Sequence, residues 1–491
     1  MSDTNYDTII IGTGLGGLVC GYILAKNGHK VLLLEKNAQI GGCLQNFHRF
    51  GVKYDTGMHY IGSMEEDQIL HQMFSYLGLL KDVRVSRMDD DGFDRFSIAG
   101  QEYRYAAGYE HFVETLSQQF PDCRKDIQSY VSHIKDIAES SPLYKLNDIE
   151  TRLIESQSSP YLHTSVNEFL ASITPNKQLQ QVLAANLPLY AGVADKTPAY
   201  VYILISNFYL QSAWRIIGGS DSIARSLANS IRSFGGNILT NSEVKRLICD
   251  NTKATAVELS NGERFEASHF VSDIHPQALL PLIDSKLLRP VYRERIRQLD
   301  NTLSNFTIYL KFKENKVPYM NHNYYYYADK NVWDAYHAGS SDSRSFLYMH
   351  QCMEEHQQYA ESAEIMAPMS YQEVATWANS HSGCREAVYY DFKRRKAEQY
   401  LQLLEQSFPG IKQHIEAYET SSPLTYRDYT GTSNGSTYGI LHDIHAPELT
   451  RVSQRTKIPN LFLTGQNIHW HGILGVIVGA ILASRELTVD N

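Results

Sequence analysis

Paired cysteines, a basic excess and a membrane-length apolar run are all missing from this chain. Its six cysteines, Cys20, Cys43, Cys123, Cys249, Cys352 and Cys384, stand far apart, no two within four residues of each other. That spacing excludes CxxC redox pairs and zinc-ribbon ligand sets, and it fits a reduced, cytoplasmic protein. Lys and Arg number 45 against 54 Asp and Glu, a formal charge of −9, so no basic face for nucleic acid is expected. The opening residues MSDTNYDTIIIG have neither a basic n-region nor an apolar stretch of signal length. The longest unbroken run of aliphatics and glycine, residues 472–483, is well short of the ~20 residues of a spanning helix.

What is present is size, tyrosine and placed glycine. A chain of 491 residues exceeds what one core supports, so two or more domains are expected. Its 43% hydrophobic and 20% charged residues are those of an ordinary globular protein. The 33 tyrosines suit wide apolar surfaces with a polar tip, whether pockets for long ligands or plain core.

Residues 6–36 read YDTIIIGTGLGGLVCGYILAKNGHKVLLLEK. Ile9, Ile10 and Ile11 form a continuous apolar strand, the kind buried on both faces of a parallel sheet. Gly12, Gly14 and Gly17 make G-x-G-x-x-G, with Leu15 and Gly16 between them. The first glycine permits a tight turn, the second lets the backbone approach a pyrophosphate, and the third lets the helix pack on the strand. The helix N-terminus presents free N–H groups to the phosphates. Leu18, Ile23 and Leu24 continue the helix, which stops at Asn27 and Gly28. A second apolar strand, residues 31–34, ends in Glu35 and Lys36; the Glu35 carboxylate is placed to accept from ribose hydroxyls.

The run after that acid, KNAQIGGCLQNFHRFGVKYDTGMHYIG, carries Gly41 and Gly42, then Gly51, Asp55 and Gly57. This resembles the glutathione-reductase-like FAD proteins, in which a GG pair and a D-x-G turn line the flavin. In such folds a late strand, turn and helix return to the cofactor. The matching segment is LFLTGQNIHWHGILGVIVGAILAS, residues 461–484, with a strand at 461–463, a turn at Thr464 and Gly465, and a helix at 475–487. Gly465, Gln466, Asn467, Gly475 and Val476 are its expected cofactor contacts. Between the two ends, residues 216–247 predict a helix capped by Asp221 with an apolar face of Ile223, Leu227 and Ile231. A strand at 237–239 follows, then Val244, whose backbone contacts adenine in the resembled family. Runs at 255–259 and 264–267, joined at Asn261 and Gly262, predict a hairpin.

DTGMHYIG (55–62), IGGSDSIARSL, SSPLTYRDYTGTSNGSTYGI (421–440) and LFLTGQNIHWHG resemble the phytoene desaturase superfamily, most closely its retinol saturase and carotenoid isomerase branch. The likeness spans nearly the whole chain in motif order. One departure is Asn467, where relatives often carry an acid; an amide still hydrogen-bonds a ribityl hydroxyl. The resemblance implies an α/β fold: a glutathione-reductase-like FAD-binding Rossmann domain with an inserted α+β substrate domain. The FAD-binding domain is drawn from residues 1–65, 215–275 and 441–491, and the substrate domain from 66–214, helical in pattern, and 276–440. It also implies FAD-dependent chemistry on carbon–carbon bonds of a long apolar polyene. Double-bond reduction is the first reading, with desaturation or cis/trans isomerisation beside it. An amine or porphyrinogen oxidase and a non-catalytic flavin-binding lipid carrier remain as alternatives.

Such chemistry asks for a dry tunnel and, for reduction, a proton donor. His59 and Tyr60, following the D-x-G turn, are the first candidates, and His471 the next. His469 and His471 share a face if their segment is a strand, but no third ligand accompanies them, so no metal is expected. Residues 199–205, apolar and aromatic, fit either a buried helix or a tunnel wall. NYYYY (323–327) fits a strand in the core or against the substrate. No second G-x-G-x-x-G precedes an acid, so NAD(P)H bound in passing, a quinone or a redox protein is the expected electron partner. A lipid-partitioning substrate is compatible with contact at a membrane surface, although no basic amphipathic helix stands out.

Overall fold

The computed structural model describes residues 5–144, 159–336 and 344–488. β1 (Asn5–Ile11) lies beside β2 (Val31–Leu34) in parallel, Thr8 opposite Val31 and Ile11 opposite Leu34. All four residues of β2 and the last four of β1 are buried, as strands covered on both faces must be. α1 (Leu15–Lys26) crosses between them and packs against helices Asp221–Ser233 and Gly472–Thr488. On the other side of β1 the strand Arg264–Ser272 runs parallel and in turn carries Leu461–Leu463. Asn237–Leu239 extends the sheet past β2, and Ala254–Leu259 with Val244–Cys249 completes seven strands. This Rossmann sheet therefore gathers the start, middle and end of the chain.

A second seven-stranded sheet forms the other half. Its order is Ile415–Ser421, Ser304–Phe312, Ser362–Met369, Ser345–His350, Asn323–Tyr327, Asp94–Ile98 and Gln101–Tyr105. Only Asn323–Tyr327 and Asp94–Ile98 pair in parallel. Helices including Arg124–Ser140 and Ala199–Gln211 share one core with this end of the sheet. Residues 279–299, beyond the Rossmann strands, pack into the core beneath β1 and Leu461–Leu463. Among the described residues no helix is long and apolar enough to cross a membrane.

Three local expectations change. The stretch 66–214 is not helical throughout: Val85–Arg87, Asp94–Ile98 and Gln101–Tyr105 are strands. DRFSI and QEYRY join through Ala99 and Gly100, both at positive φ (48° and 81°), the two-residue turn whose twist matches a hairpin. Asp221 does not cap its helix; Ser220 holds that position, and Asp221 lies inside the first turn, paired with Lys53 Nζ at 2.7 Å. The segment bearing His469 and His471 is not a strand, because Leu461–Leu463 ends before it and the helix starts at Gly472.

Candidate active site

The two sheets meet at a cavity of ≈ 390 Å³. One end is built by the glycine turn. Gly12 has φ 97°, which reverses the chain at the tip of β1. A Cβ on Gly17 would sit 2.3 Å from the Gly12 carbonyl oxygen, so the third glycine serves packing. A Cβ on Gly16 would lie 2.9 Å from the Gly465 amide nitrogen, so the start of α1 and the closing turn touch backbone to backbone. Glu35, at the tip of β2, accepts from Thr13 Oγ1 at 2.5 Å and from the Asn37 amide at 2.9 Å. Its orientation toward the cavity is thus fixed from both sides.

The expected cofactor residues largely converge there. Gly12, Gly14, Leu15, Gly16, Glu35, Lys36, Gly41, Gly42, Val244, Gly465, Gln466, Asn467 and Val476 all line the cavity. Gly17 lies behind it, and Gly475 borders a smaller cavity: a Cβ there would sit 2.6 Å from Trp470 Cβ and 2.9 Å from its carbonyl, so this glycine admits the close approach of the Trp470 backbone. Asn467 is committed within the chain, its Oδ1 accepting from the Ile440 amide at 3.1 Å, and it braces the 437–440 turn. Lys36 Nζ donates to the Asp428 carbonyl at 3.0 Å and Asn37 Nδ2 to that of Tyr429 at 2.9 Å, clamping the helix Pro423–Thr430 over this end. The glycine cradle, the helix start and a strand-end carboxylate fit the pyrophosphate and ribose of FAD.

Sequence reading missed Asp273, which follows the strand Arg264–Ser272. Its carboxyl accepts from the Gly14 and Gly17 amides. Burial, with Glu35 adding to it, pushes its pKa up to about 7. An acid one residue past a strand that ends level with Ile11 is the available signal.

The other end of the cavity is apolar and aromatic. Leu189, Tyr209, Leu347, Met349, Met366 and Ile473 line it together with His59 and Tyr60. The carboxylates on the lining, Glu35, Glu243 and Asp273, belong to the nucleotide end. Adjacent residues here meet two different buried acids. His59 Nδ1 lies 3.3 Å from Glu364 Oε2, although outside hydrogen-bond geometry. Tyr60 donates to Asp94 Oδ2 at 3.1 Å and pairs with the Tyr325 hydroxyl at 2.8 Å. Burial lowers the His59 pKa to about 3, helped by Arg215, so the imidazole is neutral. Burial raises Glu364 well above the carboxylate range and Asp94 to about 7. Arg215, 1% exposed, lies between these groups, donating to the His59 carbonyl at 3.5 Å and that of His322 at 3.2 Å. Sequence reading named neither acid; Glu364 sits within the apolar run SAEIMAPM, and a charge in such a strand is the signal.

His471 is placed differently from His59. It lines a smaller apolar cavity beside Trp470 and Phe208, with its ring 4.8 Å from that of Tyr438. Tyr209, Leu189, Gly472 and Ile473 border both cavities, so the two adjoin. Burial lowers the His471 pKa to about 3. His469 turns to Gln454, Nε2 to Oε1 at 3.1 Å. Among the described residues no three His, Cys, Asp or Glu side chains gather as a metal site.

Comparison with known proteins agrees with this architecture. The model of the flavin containing amine oxidoreductase family matches residues 15–488, and the chain belongs to that family. The all-trans-retinol 13,14-reductase of Rattus norvegicus is 26% identical over 99% of this chain and 86% of its own length. Prolycopene isomerase 1 of an Oncidium hybrid cultivar is 22% identical over 99% of this chain and 84% of its own. Among solved structures, cyclohexylamine oxidase from Brevibacterium oxydans superposes with a TM-score of 0.61 over 98% of this chain and 99% of its own, at 16% identity. Within the family the chain stands with the phytoene-desaturase-like branch of retinol saturases and carotenoid isomerases. It is an FAD-dependent oxidoreductase.

Proposed function

We propose that this enzyme reduces a carbon–carbon double bond in a long apolar polyene of the retinoid or carotenoid type. The observation that carries the reading is the wall at the far end of the cavity: apolar and aromatic, free of lining carboxylates, and adjoining a second apolar cavity. An ammonium substrate needs a partner that this wall lacks, whereas an uncharged polyene loses nothing on entering it. Names of relatives support the same class, since one is a retinol reductase and another a prolycopene isomerase. FAD, when bound, supplies or accepts the hydride.

The chain's own residues then have separate tasks. Glu35 holds the adenosine ribose, and the turn from Gly12 to Gly16 faces the pyrophosphate. His59 stands where a proton has to be given, and Tyr60 lines the cavity beside it, its hydroxyl held by Asp94 and Tyr325. We assign residues 1–65, 215–275 and 441–491 to the FAD-binding domain, together with 279–299, which pack into its core, and the rest of 66–214 and 276–440 to the substrate domain. The electrons come from a donor outside the chain.

The test is a mixture of anaerobically reduced, FAD-loaded protein with retinoids and carotenoids. Reoxidation of the flavin with a product two hydrogens heavier is expected. A product of unchanged mass would make it an isomerase, and one two hydrogens lighter, formed by oxidised protein, a desaturase. Peroxide release with amines, or a flavin that no polyene reoxidises, would overturn the reading.

A further inference from the structure

We propose that the buried carboxyl of Glu364 stores the proton that His59 delivers to the substrate. The inference rests on the reductase reading above and names where its proton is kept. Glu364 lies mid-strand in Ser362–Met369, flanked on both sides by strands of the second sheet, and is 0% exposed. Its Oε1 accepts from Gln351 Nε2 at 2.5 Å. Its Oε2 has no hydrogen-bond partner among the described residues and faces His59 Nδ1. Both His59 ring nitrogens are likewise without partners there, and the same ring lines the cavity. A buried carboxyl oxygen and a buried imidazole left unbonded, side by side, are costly unless something uses them.

The surroundings decide where the proton sits. Asp55 and Tyr54 face Glu364 from the hairpin Asn46–Asp55, and Tyr309 and Tyr426 from neighbouring elements. Arg215 approaches from the strand Ala213–Ile216. Burial disfavours the Glu364 anion and the Asp55 carboxylate adds to this, against the Gln351 side chain, the Asp55 backbone amide and Arg215; burial and then Arg215 discourage an imidazolium. The pair is therefore a carboxylic acid beside a neutral ring. Oε2–H gives its proton to Nδ1 as Nε2–H gives its own to one alkene carbon. Reduced FAD, held by the Gly12–Gly16 turn and Glu35, would supply the hydride, with its two electrons, for the neighbouring carbon. One C=C π bond is lost and two C–H bonds form. Glu364 is left as a carboxylate facing Nδ1–H; a proton from water taken at Nε2, on the cavity side, sends the Nδ1 proton back to Oε2 and resets the pair. Asp94 is a poorer store, because its carboxylate is already held by Tyr60, Tyr325 and Asn323.

Two measurements on FAD-loaded protein test this. At neutral pH infrared carbonyl absorption of protonated carboxylic acid is expected in the wild type and in His59→Gln; Glu364→Gln should lose one component of it, Asp94 and Asp273 supplying the remainder. In single-turnover reoxidation by the polyene, Glu364→Gln is expected to be slower by about 100-fold. It should also lose the alkaline fall of the wild-type rate profile, while FAD content and reduction by dithionite stay unchanged. An infrared spectrum that Glu364→Gln leaves intact overturns the proposal, as does a Glu364→Gln rate and pH profile matching the wild type. Should Glu364→Gln fail to fold, a His59→Gln protein that turns over at the wild-type rate overturns it equally. A wild-type protein inert to every polyene removes the reductase reading and the delivery step together; the infrared band still reports whether Glu364 holds a proton.

Discussion

The two ends of the cavity are built on opposite plans. At the nucleotide end the parts are neighbours in sequence and act through backbone: Gly12, Gly14, Thr13 and Glu35 all lie between β1 and the tip of β2. At the far end the parts are side chains brought together from remote strands. Tyr60 meets a carboxylate 34 residues away and a tyrosine 265 residues away. His59 meets an acid from the middle of the other sheet. Binding a shared cofactor needs a fixed local motif, whereas tuning a reaction needs buried charges whose environment only the tertiary fold creates.

Asp273 is where that contrast is most open to being broken, since it sits at the nucleotide end yet behaves like the far end. Its pKa is raised from 3.8 to about 7, so the folded protein holds a proton that the unfolded chain releases. Its contribution to stability is full at low pH and is lost as pH rises from about 4 to 7. At about 1.4 kcal/mol per pKa unit, that loss reaches about 4 kcal/mol. Asp273→Asn keeps an acceptor for the Gly14 and Gly17 amides but cannot ionise. Urea unfolding from pH 5 to 8 should show the variant gaining on the wild type by about 3 kcal/mol, the part of that loss that falls above pH 5. Parallel pH curves for the two proteins would mean that the amides hold Asp273 as an anion, competing with phosphate.

What could be read in the sequence follows the same division. The glycine turn, Glu35, the GG pair and the Thr464–Gly465 return were legible because each is dictated by local backbone geometry. Gly475 misled for the same reason: glycine reports only that space is tight, and here the space is taken by Trp470. Asn467 lines the cavity as expected, but nothing in the sequence shows the Ile440 amide arriving to bond its Oδ1. His59 and Tyr60 were placed by a turn motif, but Glu364, Asp94 and Arg215 become partners only through sheet register. The strands at 94–98 and 101–105 hid inside a stretch read as helical, since five-residue alternation is a short signal.

Glu35→Ala is the next largest effect and tests the local plan directly. It removes the acceptor of the Thr13 and Asn37 bonds and leaves the ribose without a carboxylate. Charge-assisted bonds of this kind contribute about 2 kcal/mol, so FAD retention should weaken roughly 30-fold in equilibrium dialysis. Unchanged occupancy would mean that the Gly12–Gly16 turn suffices and that the ribose lies elsewhere.

Tyr60→Phe should have the smallest effect, and it separates the two buried acids. The ring would keep its packing against Tyr209, at 4.4 Å between centroids. Asp94 would still accept from Asn323 Nδ2 at 2.8 Å and from the Tyr325 hydroxyl at 3.4 Å. The loss is therefore one hydrogen bond among several, about 1 kcal/mol in urea unfolding. Because the Tyr60 bond lowers the Asp94 pKa, its removal lifts that pKa further above about 7 and keeps the acid neutral. With Asp94 still held by Asn323 and Tyr325, polyene turnover should change by less than about 3-fold. A collapse of turnover in Tyr60→Phe with Glu364→Gln unaffected would reverse the order of the two acids. The proton would then travel from Asp94 through the tyrosine hydroxyl, and His59 would be left as cavity wall.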